Sequence, residues 1–293
     1  MERADRLAEM IGGKLGEAVR ACAGEITELR LRCGQPARIC LMGGAERSAE
    51  RVGAAELRRI LNRLMENSLY ACEEELRQGY FTCAGGMRVG VCGKIGYGGS
   101  GVSALGSVGS ICIRVPRVVR GCADALAAQM FASGPAGALI LSPPGLGKTT
   151  LARELARVAA ERGMNVAVAD ERREIAACRE GVPQLDVGCR TDVMDGGAKA
   201  ATMPMLVRAC APQLLVVDEI GGRGDAAAIH DAARCGVRVI ATAHAENLSD
   251  ALRRARIAPL LRSGAFDWCV TLGPRPGQIA EALRWAERGR AEC

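Results

Sequence analysis

The sequence predicts an α/β protein in which a larger domain with a mostly parallel sheet follows a smaller α+β domain. Two observations predict this class. In the second half of the chain, short apolar runs alternate with amphipathic stretches, which is the pattern of repeated strand–helix units. In the first half, hairpin-like strand pairs and amphipathic helices are mixed. We place the N-terminal domain at 1–120, a linking helix at 121–136 and the larger domain at 137–293.

The composition is that of a folded protein in a reducing compartment. The chain has 293 residues, 25% of them charged and 49% apolar, which suits two domains. Its 14 cysteines are scattered singly and form no C-x-x-C pair. We interpret most of them as small buried side chains, with Cys122 and Cys293 as candidate exposed thiols.

Neither a membrane span nor a signal peptide is predicted. No apolar run approaches the ~18–20 residues that cross a bilayer, and the N-terminus lacks the apolar core of a signal peptide. We therefore expect a cytoplasmic protein that reaches a membrane only through a partner. The net charge of +6 permits an acidic partner or nucleic acid but requires neither. Aromatic residues make up only 3% of the chain, and this scarcity disfavours binding of single-stranded nucleic acid.

The first domain is predicted to begin with a helix over 4–20 that is interrupted at Gly12-Gly13. The remaining elements are a strand–turn–strand unit over 25–41, amphipathic helices over 54–66 and 69–77, a Gly-rich hairpin over 79–93, a flexible Gly/Ser loop over 96–109 and a strand over 110–115. In the first strand, Arg30 and Arg32 are predicted on the face opposite Leu29 and Leu31.

The second domain is predicted to follow an Ala-rich helix over 122–131. Apolar runs predict strands at 138–141, 165–169, 213–217, 237–242 and 268–272. Amphipathic stretches predict helices at 149–162, 200–210, 225–235 and 248–261, and a last apolar piece at 278–285 suggests an edge strand.

A nucleotide-phosphate loop is predicted between the first of these strands and its helix. The loop reads Ser142, Pro143, Pro144, Gly145, Leu146, Gly147, Lys148, Thr149 and Thr150, against the P-loop pattern G-x-x-x-x-G-K-[ST]. Glycines let backbone N–H groups approach phosphate oxygens, and the helix N-terminus favours an anion. Lys148 suits the β- and γ-phosphates of ATP, the Thr149 hydroxyl suits Mg²⁺, and Thr150 offers a second polar contact. Ser142 replaces the first glycine; a small residue at a strand end is compatible with a working loop.

An apolar strand that ends in Asp218-Glu219 resembles a Walker B motif. An acid at a strand tip can hold the Mg²⁺ shell, which is the predicted role of Asp218. A second acid beside it can deprotonate an attacking water, which is the predicted role of Glu219. The pattern is weak by itself but strong downstream of a P-loop.

Three further features follow predicted strands. Asp170 and Glu171 are expected near the metal or the attacking water, although an ordinary solvated loop is as plausible. His244 is expected to sense the γ-phosphate, although a lone histidine is more often structural. Arg190, with Lys199 beyond it, is expected either to stabilise transition-state charge or to pair with Asp192.

These motifs together resemble the stage III sporulation protein AA family over nearly the whole chain. The resemblance rests on residues 68–71 (S-L-Y-A), 75–79 (E-L-R-Q-G), 85–90 (G-G-M-R-V-G), 168–178 (V-A-D-E-R-R-E-I-A-A-C), 181–188 (G-V-P-Q-L-D-V-G), 190–193 (R-T-D-V) and 217–221 (V-D-E-I-G). The family is similar to the hexameric ATPases of secretion and pilus systems. The resemblance implies a RecA-like P-loop NTPase domain behind the α+β domain, with ATP and Mg²⁺ bound between subunits of a hexameric ring.

The resemblance also implies a partner and a biological setting. The expected partner is a membrane-anchored protein of the channel complex that links mother cell and forespore during endospore formation. Arg30, Arg32, Arg88 and Arg114 are candidates to reach a neighbour's nucleotide, and each is equally suited to a surface or packing role. Met87 stands where the family pattern suggests a polar residue, so we assign it no role.

The sequence therefore predicts an Mg²⁺-dependent ATPase that works as a ring. Three alternatives stay open at this point: a RecA-like nucleic-acid motor, a P-loop kinase for a small molecule, and a nucleotide-gated scaffold with little turnover. The pair Asp218-Glu219 favours water as the phosphoryl acceptor.

Overall fold

The computed structural model describes residues 3–22, 25–66, 75–77, 79–98 and 101–285. The chain divides into two compact units, Met1–Arg117 and Val118–Cys293. Each unit is described by itself.

In its described part, the first unit contains an antiparallel sheet, the helices α1 to α3 and a short helical stretch at 75–77. The sheet has the strand order β3-β2-β1-β6-β5-β4. In chain order the elements are α1 (Arg3–Ile11), α2 (Gly13–Arg20), β1 (Ile26–Arg32), β2 (Pro36–Leu41), a 3₁₀ turn (Met42–Gly44), β3 (Glu46–Arg51), α3 (Ala54–Leu64), β4 (Tyr80–Cys83), β5 (Met87–Gly98) and β6 (Gly101–Arg114).

Alternation along the strands sorts the side chains of this sheet. Leu29 and Leu31 of β1 are fully buried in a core that α1, α2 and α3 help to form, and Arg30 and Arg32 lie on the opposite face as expected. Met87 is also fully buried in this core. A polar residue at position 87 would lie in an apolar environment, which explains why this chain carries methionine there.

The predicted Gly/Ser loop at 96–109 is wrong. β5 and β6 pair from Arg88 opposite Arg114 out to Gly98 opposite Gly101, with three register shifts on the way. A continuous ladder satisfies the main-chain polar groups and outweighs the entropic cost of the glycines. Most of the helix predicted at 69–77 lies outside the described residues.

The second unit is built on a seven-stranded sheet with the order β13-β12-β7-β11-β10-β8-β9. All neighbouring strands are parallel except β12 and β13. In chain order the elements are α4 (Asp124–Met130), β7 (Ala138–Leu141), α5 (Lys148–Glu161), β8 (Val166–Asp170), β9 (Thr191–Asp195), α6 (Lys199–Cys210), β10 (Leu214–Val217), α7 (Asp225–Arg234), β11 (Arg238–Ala243), α8 (Leu248–Arg253), α9 (Ala258–Arg262), β12 (Trp268–Leu272) and β13 (Ile279–Arg284).

Both faces of this sheet are covered, which explains why its central strands are largely apolar. Ile140 of β7 belongs to the core that contains α5, whereas Leu139 and Leu141 belong to the core on the other face. All residues of β7, β8 and β10 are buried. This is the burial expected of a parallel sheet between two helical layers.

Two elements differ from the sequence prediction. The helix predicted at 248–261 is two helices, α8 and α9, because Pro259 has no N–H group for the carbonyl of residue 255 and its ring would clash with that carbonyl. Pro259 lies instead in the first turn of α9, where its missing N–H is tolerated. Strand β9 was not predicted at all. Its polar residues at an exposed edge of the sheet gave no apolar run to detect.

The cysteines are less buried than expected. The 12 cysteines that the structure describes are all free, and only Cys22, Cys83, Cys178 and Cys269 are buried. Cys122 is half-buried, and Cys293 lies outside the described residues. None of the helices that the structure describes is long and apolar enough to cross a membrane.

Candidate nucleotide-binding site

The order of the sheet brings the predicted motifs together. β7, β11, β10 and β8 are neighbours, and parallel strands end at the same edge of a sheet. Leu141 lies opposite Ala243, and Val217 lies opposite Ala241. The residues that follow these strands therefore meet, and they include the P-loop, His244, Asp218 and Glu219.

The P-loop connects β7 to the N-terminus of α5. Gly145 and Gly147 have φ of 79° and 96°, a left-handed conformation that favours glycine. Ser142 is not in that conformation and is fully buried, and its hydroxyl donates to the Pro143 carbonyl at 2.8 Å. Serine is thus compatible with the backbone at the position where the motif has its first glycine. Pro143, Pro144 and Gly145 are exposed, and Leu146, Gly147, Thr149 and Thr150 are half-buried.

The Lys148 ammonium is folded back onto the loop and is only 6% exposed. It donates to the carbonyl oxygens of Ser142 (2.9 Å) and Pro143 (3.0 Å), and it lies 3.1 Å from His244 Nδ1. Burial lowers the pKa of the Lys148 ammonium, and the carboxylates of Asp218 and Glu219 oppose that shift. Because Nδ1 faces an ammonium, the imidazole proton is assigned to Nε2.

Asp218 is held by hydroxyl groups on both of its oxygens. Thr149 Oγ1 donates to Asp218 Oδ2 at 2.7 Å, and Thr242 Oγ1 donates to Asp218 Oδ1. A hydroxyl at the start of α5 and a carboxylate at a strand end form an oxygen donor set that suits Mg²⁺. The residues present therefore fit the metal that the sequence predicts.

Glu219 adopts an unusual backbone conformation and has two charged or polar partners. Its φ is 47°, and its amide donates to Thr242 Oγ1 at 2.8 Å and to Asp218 Oδ1 at 3.1 Å. Its carboxylate accepts from His244 Nε2 at 3.0 Å and pairs with the exposed Arg172. A strained residue beside polar groups is typical of a functional site.

Asp170 does not face the phosphate loop as expected. The carboxylate is 1% exposed and accepts hydrogen bonds from the amides of Glu174 (2.8 Å), Ile175 (3.1 Å), Ala176 (2.8 Å) and Ala177 (3.3 Å). Burial raises the pKa of Asp170, and these amides oppose the shift. The carboxylate thus holds the loop that follows β8, and both of its oxygens are occupied by backbone donors.

Glu171 is also engaged away from the loop, because its carboxylate pairs with Lys199 Nζ at 2.7 Å. Burial acts to raise the pKa of Glu171, but the hydrogen bonds and charge of Lys199 outweigh it, and the pKa lies below its ordinary value.

Arg190 is not brought to this site. Thr191 lies opposite Val166, the first residue of β8, so Arg190 precedes β9 at the amino edge of the sheet. Its carbonyl accepts from the Val166 amide at 2.9 Å, and its guanidinium lies 3.5 Å from Asn165 Oδ1. The P-loop is at the carboxyl edge, so Arg190 cannot stabilise charge on a phosphate bound to this chain's own loop. The predicted cluster of Arg190 and Lys199 is split between the two edges because β9 was not recognised.

The candidate arginines of the first unit lie on the face of its sheet opposite α1 to α3. Arg30 and Arg114 both pair with Glu28, the latter at 3.4 Å. The Arg88 guanidinium lies 3.8 Å from the centroid of the Tyr80 ring. Arg32 is exposed at the end of β1.

Sequence reasoning missed three contributors to the site. These are the Thr242 hydroxyl, the Arg172 guanidinium and the turn at 273–278, whose Gly277 amide donates to the Leu146 carbonyl at 2.9 Å. Arg172 lies two residues after Asp170, and Thr242 lies two residues before His244, so both are next to residues that the sequence analysis selected. The turn has no motif of its own, and only the pairing of β12 with β7 places it here.

Residues 3–290 match the sequence profile described as "Sporulation stage III, protein AA". The chain is 36% identical over 287 residues to "Stage III sporulation protein AA" of Bacillus subtilis (strain 168), covering 96% of this chain and 94% of that protein. It is 32% identical over 169 residues to "Protein SEEDLING PLASTID DEVELOPMENT 1" of Arabidopsis thaliana, but this match spans only 24% of that protein.

Solved structures support the fold alone, because their sequence identities are low. The Legionella pneumophila ATPase DotB is 14% identical with a TM-score of 0.60, covering 99% of this chain and 81% of DotB. The pilus retraction motor PilT, solved with bound ADP, is 13% identical with a TM-score of 0.61, covering 97% of this chain and 83% of PilT. The fold is that of secretion and pilus ATPases, and the match over almost the whole length shows that the chain belongs to the stage III sporulation protein AA family.

Proposed function

We propose that this protein is an Mg²⁺-dependent ATPase. The observation that carries the proposal is the arrangement of Thr149, Asp218 and Glu219, in which a hydroxyl–carboxylate pair at the P-loop lies directly beside a second carboxylate. The fold shared with ATPases agrees with it. Mg²⁺, when bound, supplies Lewis-acid stabilisation of phosphate charge.

Each residue has a distinct part in this proposal. Backbone amides from Gly145 to Thr149 bind the phosphates, with Lys148 as their charged partner. Thr149 and Asp218 hold the metal shell. Glu219 orients the attacking water and accepts its proton, and the dry apolar strands behind it strengthen these electrostatic contacts.

The contacts of the Lys148 ammonium have to change when nucleotide binds. Lys148 leaves the carbonyl oxygens of Ser142 and Pro143 and the His244 ring for the phosphates. His244 then keeps only its contact with Glu219, so a change at the phosphates reaches the catalytic carboxylate through one imidazole. His244 is thus suited to report nucleotide binding to Glu219.

We further propose that the protein acts as a ring. In this assembly ATP-driven closure works on a membrane-anchored partner of the channel between mother cell and forespore. The family membership and the fold of secretion and pilus ATPases support this part of the proposal. Such a ring is expected to complete each site with an arginine from a neighbour, so an isolated subunit hydrolyses slowly.

A nucleotide-gated scaffold with little turnover is the second candidate. One observation favours it: the Glu219 carboxylate is already engaged by Arg172 and His244. In this arrangement Arg172 holds one oxygen of the Glu219 carboxylate and His244 the other, so neither is free to take up an attacking water. Turnover in that case waits for a partner that releases Glu219.

The test is phosphate release from the purified protein with Mg·ATP over a series of protein concentrations. Lys148→Ala and Glu219→Gln are compared with Lys14→Ala and Glu246→Gln, which change exposed residues of the same types. Specific activity that rises with concentration and is lost only in the first two variants supports the ring ATPase. ATP binding that needs Lys148 but gives no phosphate, with or without the partner, supports the scaffold. ATP binding that is indifferent to Lys148 contradicts both.

A further inference from the structure

The turn between β12 and β13 forms one wall of the phosphate loop. β12 pairs in parallel with β7, with Thr271 opposite Leu141. Both chains therefore leave the sheet at the same edge, one into the P-loop and the other into the turn at 273–278. The Gly277 amide donates to the Leu146 carbonyl at 2.9 Å. A Cβ on Gly147 would come within 3.3 Å of the Gly277 nitrogen, so the two segments are in close contact.

Local sequence makes this turn rigid. The Gln278 amide donates to the Arg275 carbonyl at 3.0 Å, with Pro276 and Gly277 between them, and the φ of Gly277 is 79°. Proline followed by a glycine at positive φ is the signature of a type II turn. The Gly273 amide closes the base of the turn on the Gln278 carbonyl at 2.7 Å. The turn is thus fixed both internally and against the P-loop.

Arg275 carries a positive charge at the first position of this turn. Its neighbours Pro274 and Pro276 restrict the backbone on both sides. The residue is exposed, and no residue in the described part of the chain pairs with its guanidinium. Two residues span at most about 7 Å, so the Arg275 Cα lies within that distance of the Gly277 Cα that touches the loop.

The charges at the P-loop leave a place for such a cation. Lys148 faces the carboxylates of Asp218 and Glu219, and Arg172 is paired with Glu219. The positive charges already at the site are therefore matched by its own acids. A bound nucleoside triphosphate adds several negative charges, and a guanidinium binds phosphate oxygens with a matching geometry.

We propose that Arg275 is a nucleotide-binding residue that places its guanidinium on the phosphate groups held by the P-loop of the same chain. This inference rests on the proposed function, because it needs a nucleotide at that loop. It adds a residue that none of the sequence motifs contains.

The test measures dissociation constants of the full-length protein for Mg·ATP and Mg·ADP by isothermal titration calorimetry. Arg275→Ala and Arg275→Gln are expected to weaken binding about tenfold, the effect of losing a hydrogen bond to a charged group. Arg275→Lys, which keeps the charge but loses the paired donors of the guanidinium, is expected to weaken binding less than Arg275→Ala does. Added salt is expected to weaken binding less in Arg275→Ala, because one ionic contact is already gone. Arg262→Ala, an exposed arginine of α9, is the matched control.

Lys148→Ala separates the two proposals. If Lys148→Ala abolishes binding and both neutral Arg275 variants bind like the unchanged protein, the inference is overturned and the proposed function stands. If Lys148→Ala leaves binding unchanged, both are overturned. Arg275→Lys binding as weakly as Arg275→Ala also overturns the inference, because the charge that lysine retains would still attract the phosphates. Thermal unfolding of every variant verifies that the fold is intact.

Discussion

Thr242 connects the two carboxylates of the candidate site through one hydroxyl group. The hydroxyl donates to Asp218 Oδ1 and accepts from the Glu219 amide at 2.8 Å, and the residue is fully buried. Asp218 is thereby aimed at the Thr149 hydroxyl, and Glu219 is held in its left-handed conformation. We expect Thr242 to act as a positioning residue, since its own atoms do not reach the phosphate loop in any described contact.

Thr242→Val is expected to lower phosphate release roughly tenfold to a hundredfold while nucleotide binding is retained. The reason is that valine has the same shape but leaves Asp218 and the Glu219 amide without their shared partner, at a cost of about 1.5–3 kcal/mol. The measurement is kcat and the concentration of Mg²⁺ needed for half-maximal rate, which should rise as Asp218 loses its orientation.

Thr242→Ser is the control for this prediction, because serine restores the hydroxyl. It should recover most of the rate. An equal loss of rate in Thr242→Ser and Thr242→Val, or an unchanged rate in Thr242→Val, would contradict the positioning role. If the lower rate of Thr242→Val is explained by a smaller folded fraction in thermal unfolding, Thr242 contributes to stability alone.

Local motifs explain which residues of the site could be predicted. The P-loop and Asp218-Glu219 were found because each motif lies in one short stretch next to an apolar strand. Thr242 and Arg172 act across strands, so their roles follow only from the order β11-β10-β8. Asp170 and Arg190 are predicted near the phosphates because each lies in a short polar motif close to a strand. In the structure the Asp170 carboxylate binds backbone amides, and Arg190 lies at the opposite, amino edge of the sheet.

Asp170 gives a second prediction at the residue scale. Asp170→Ala is expected to lower the free energy of unfolding by at least about 3 kcal/mol, because four buried amides lose their acceptor. Asp170→Asn keeps one acceptor oxygen, so its free energy of unfolding should lie between those of the unchanged protein and Asp170→Ala. Denaturant unfolding measures both. An Asp170→Ala protein of unchanged stability with a lost ATPase rate would contradict the structural role and return Asp170 to the metal site.

Among the elements, α5 is unusual because it carries buried charges along its length. Glu154 and Arg157 are 5% and 8% exposed at their side chains and pair at 2.7 Å. Glu154 also accepts from the Gly121 amide at 2.7 Å, and Arg153 donates to the carbonyl oxygens of Glu174 and Ile175. Because α5 begins at the P-loop, these contacts fix the helix that presents Lys148 and Thr149.

Glu154→Gln is expected to lower the free energy of unfolding by about 3 kcal/mol at neutral pH, since it leaves the buried Arg157 charge without its main partner. Burial acts to raise the pKa of Glu154, but hydrogen bonds from Arg157 and the Gly121 amide outweigh it and hold the pKa below its ordinary value of 4.5. The carboxylate therefore contributes stability above pH 4.5 and loses it as the pH falls through the lowered pKa. Unfolding curves from pH 7 to pH 3 should show the difference between the two proteins shrinking in that direction.

Glu161→Gln is the matched control, because Glu161 pairs with the same arginine but is 53% exposed at its side chain. It should cost well under 1 kcal/mol, as exposed ion pairs do. A cost for Glu154→Gln that is no larger than this, or one that grows as the pH falls, would contradict the prediction.

The elements that the sequence did not predict have one cause in common. β3, β9 and the outer parts of β5 and β6 contain polar residues and glycines, so no apolar periodicity marks them. Main-chain hydrogen bonds to a neighbouring strand stabilise these segments. A strand stabilised by its neighbour in this way needs no apolar pattern of its own. The buried strands β7, β8, β10 and β12 carry their own apolar signal and were found within about two residues, as is usual for element boundaries.

At the scale of the whole molecule, each compact unit has its own apolar core. The core of the first unit contains Leu29 and Phe81, whereas two further cores cover the two faces of the second sheet. All hydrogen bonds described for the candidate site join residues of the second unit. A unit with its own core is expected to fold by itself.

The fragment 118–293 is therefore expected to fold cooperatively and to bind Mg·ATP within about threefold of the full chain, a difference of about 0.7 kcal/mol. Its phosphate release should no longer rise with protein concentration, because the proposed ring takes the arginine that completes each site from the first unit of a neighbour.

Circular dichroism, titration calorimetry and phosphate release are compared between the fragment and the full chain, with Lys148→Ala in both. A folded fragment without Lys148-dependent binding would show that the site requires the first unit. A fragment whose activity still rises with concentration would place the completing residue in the second unit, which would exclude Arg30, Arg32, Arg88 and Arg114 and make Arg190, at the amino edge of the sheet, the residue to change next.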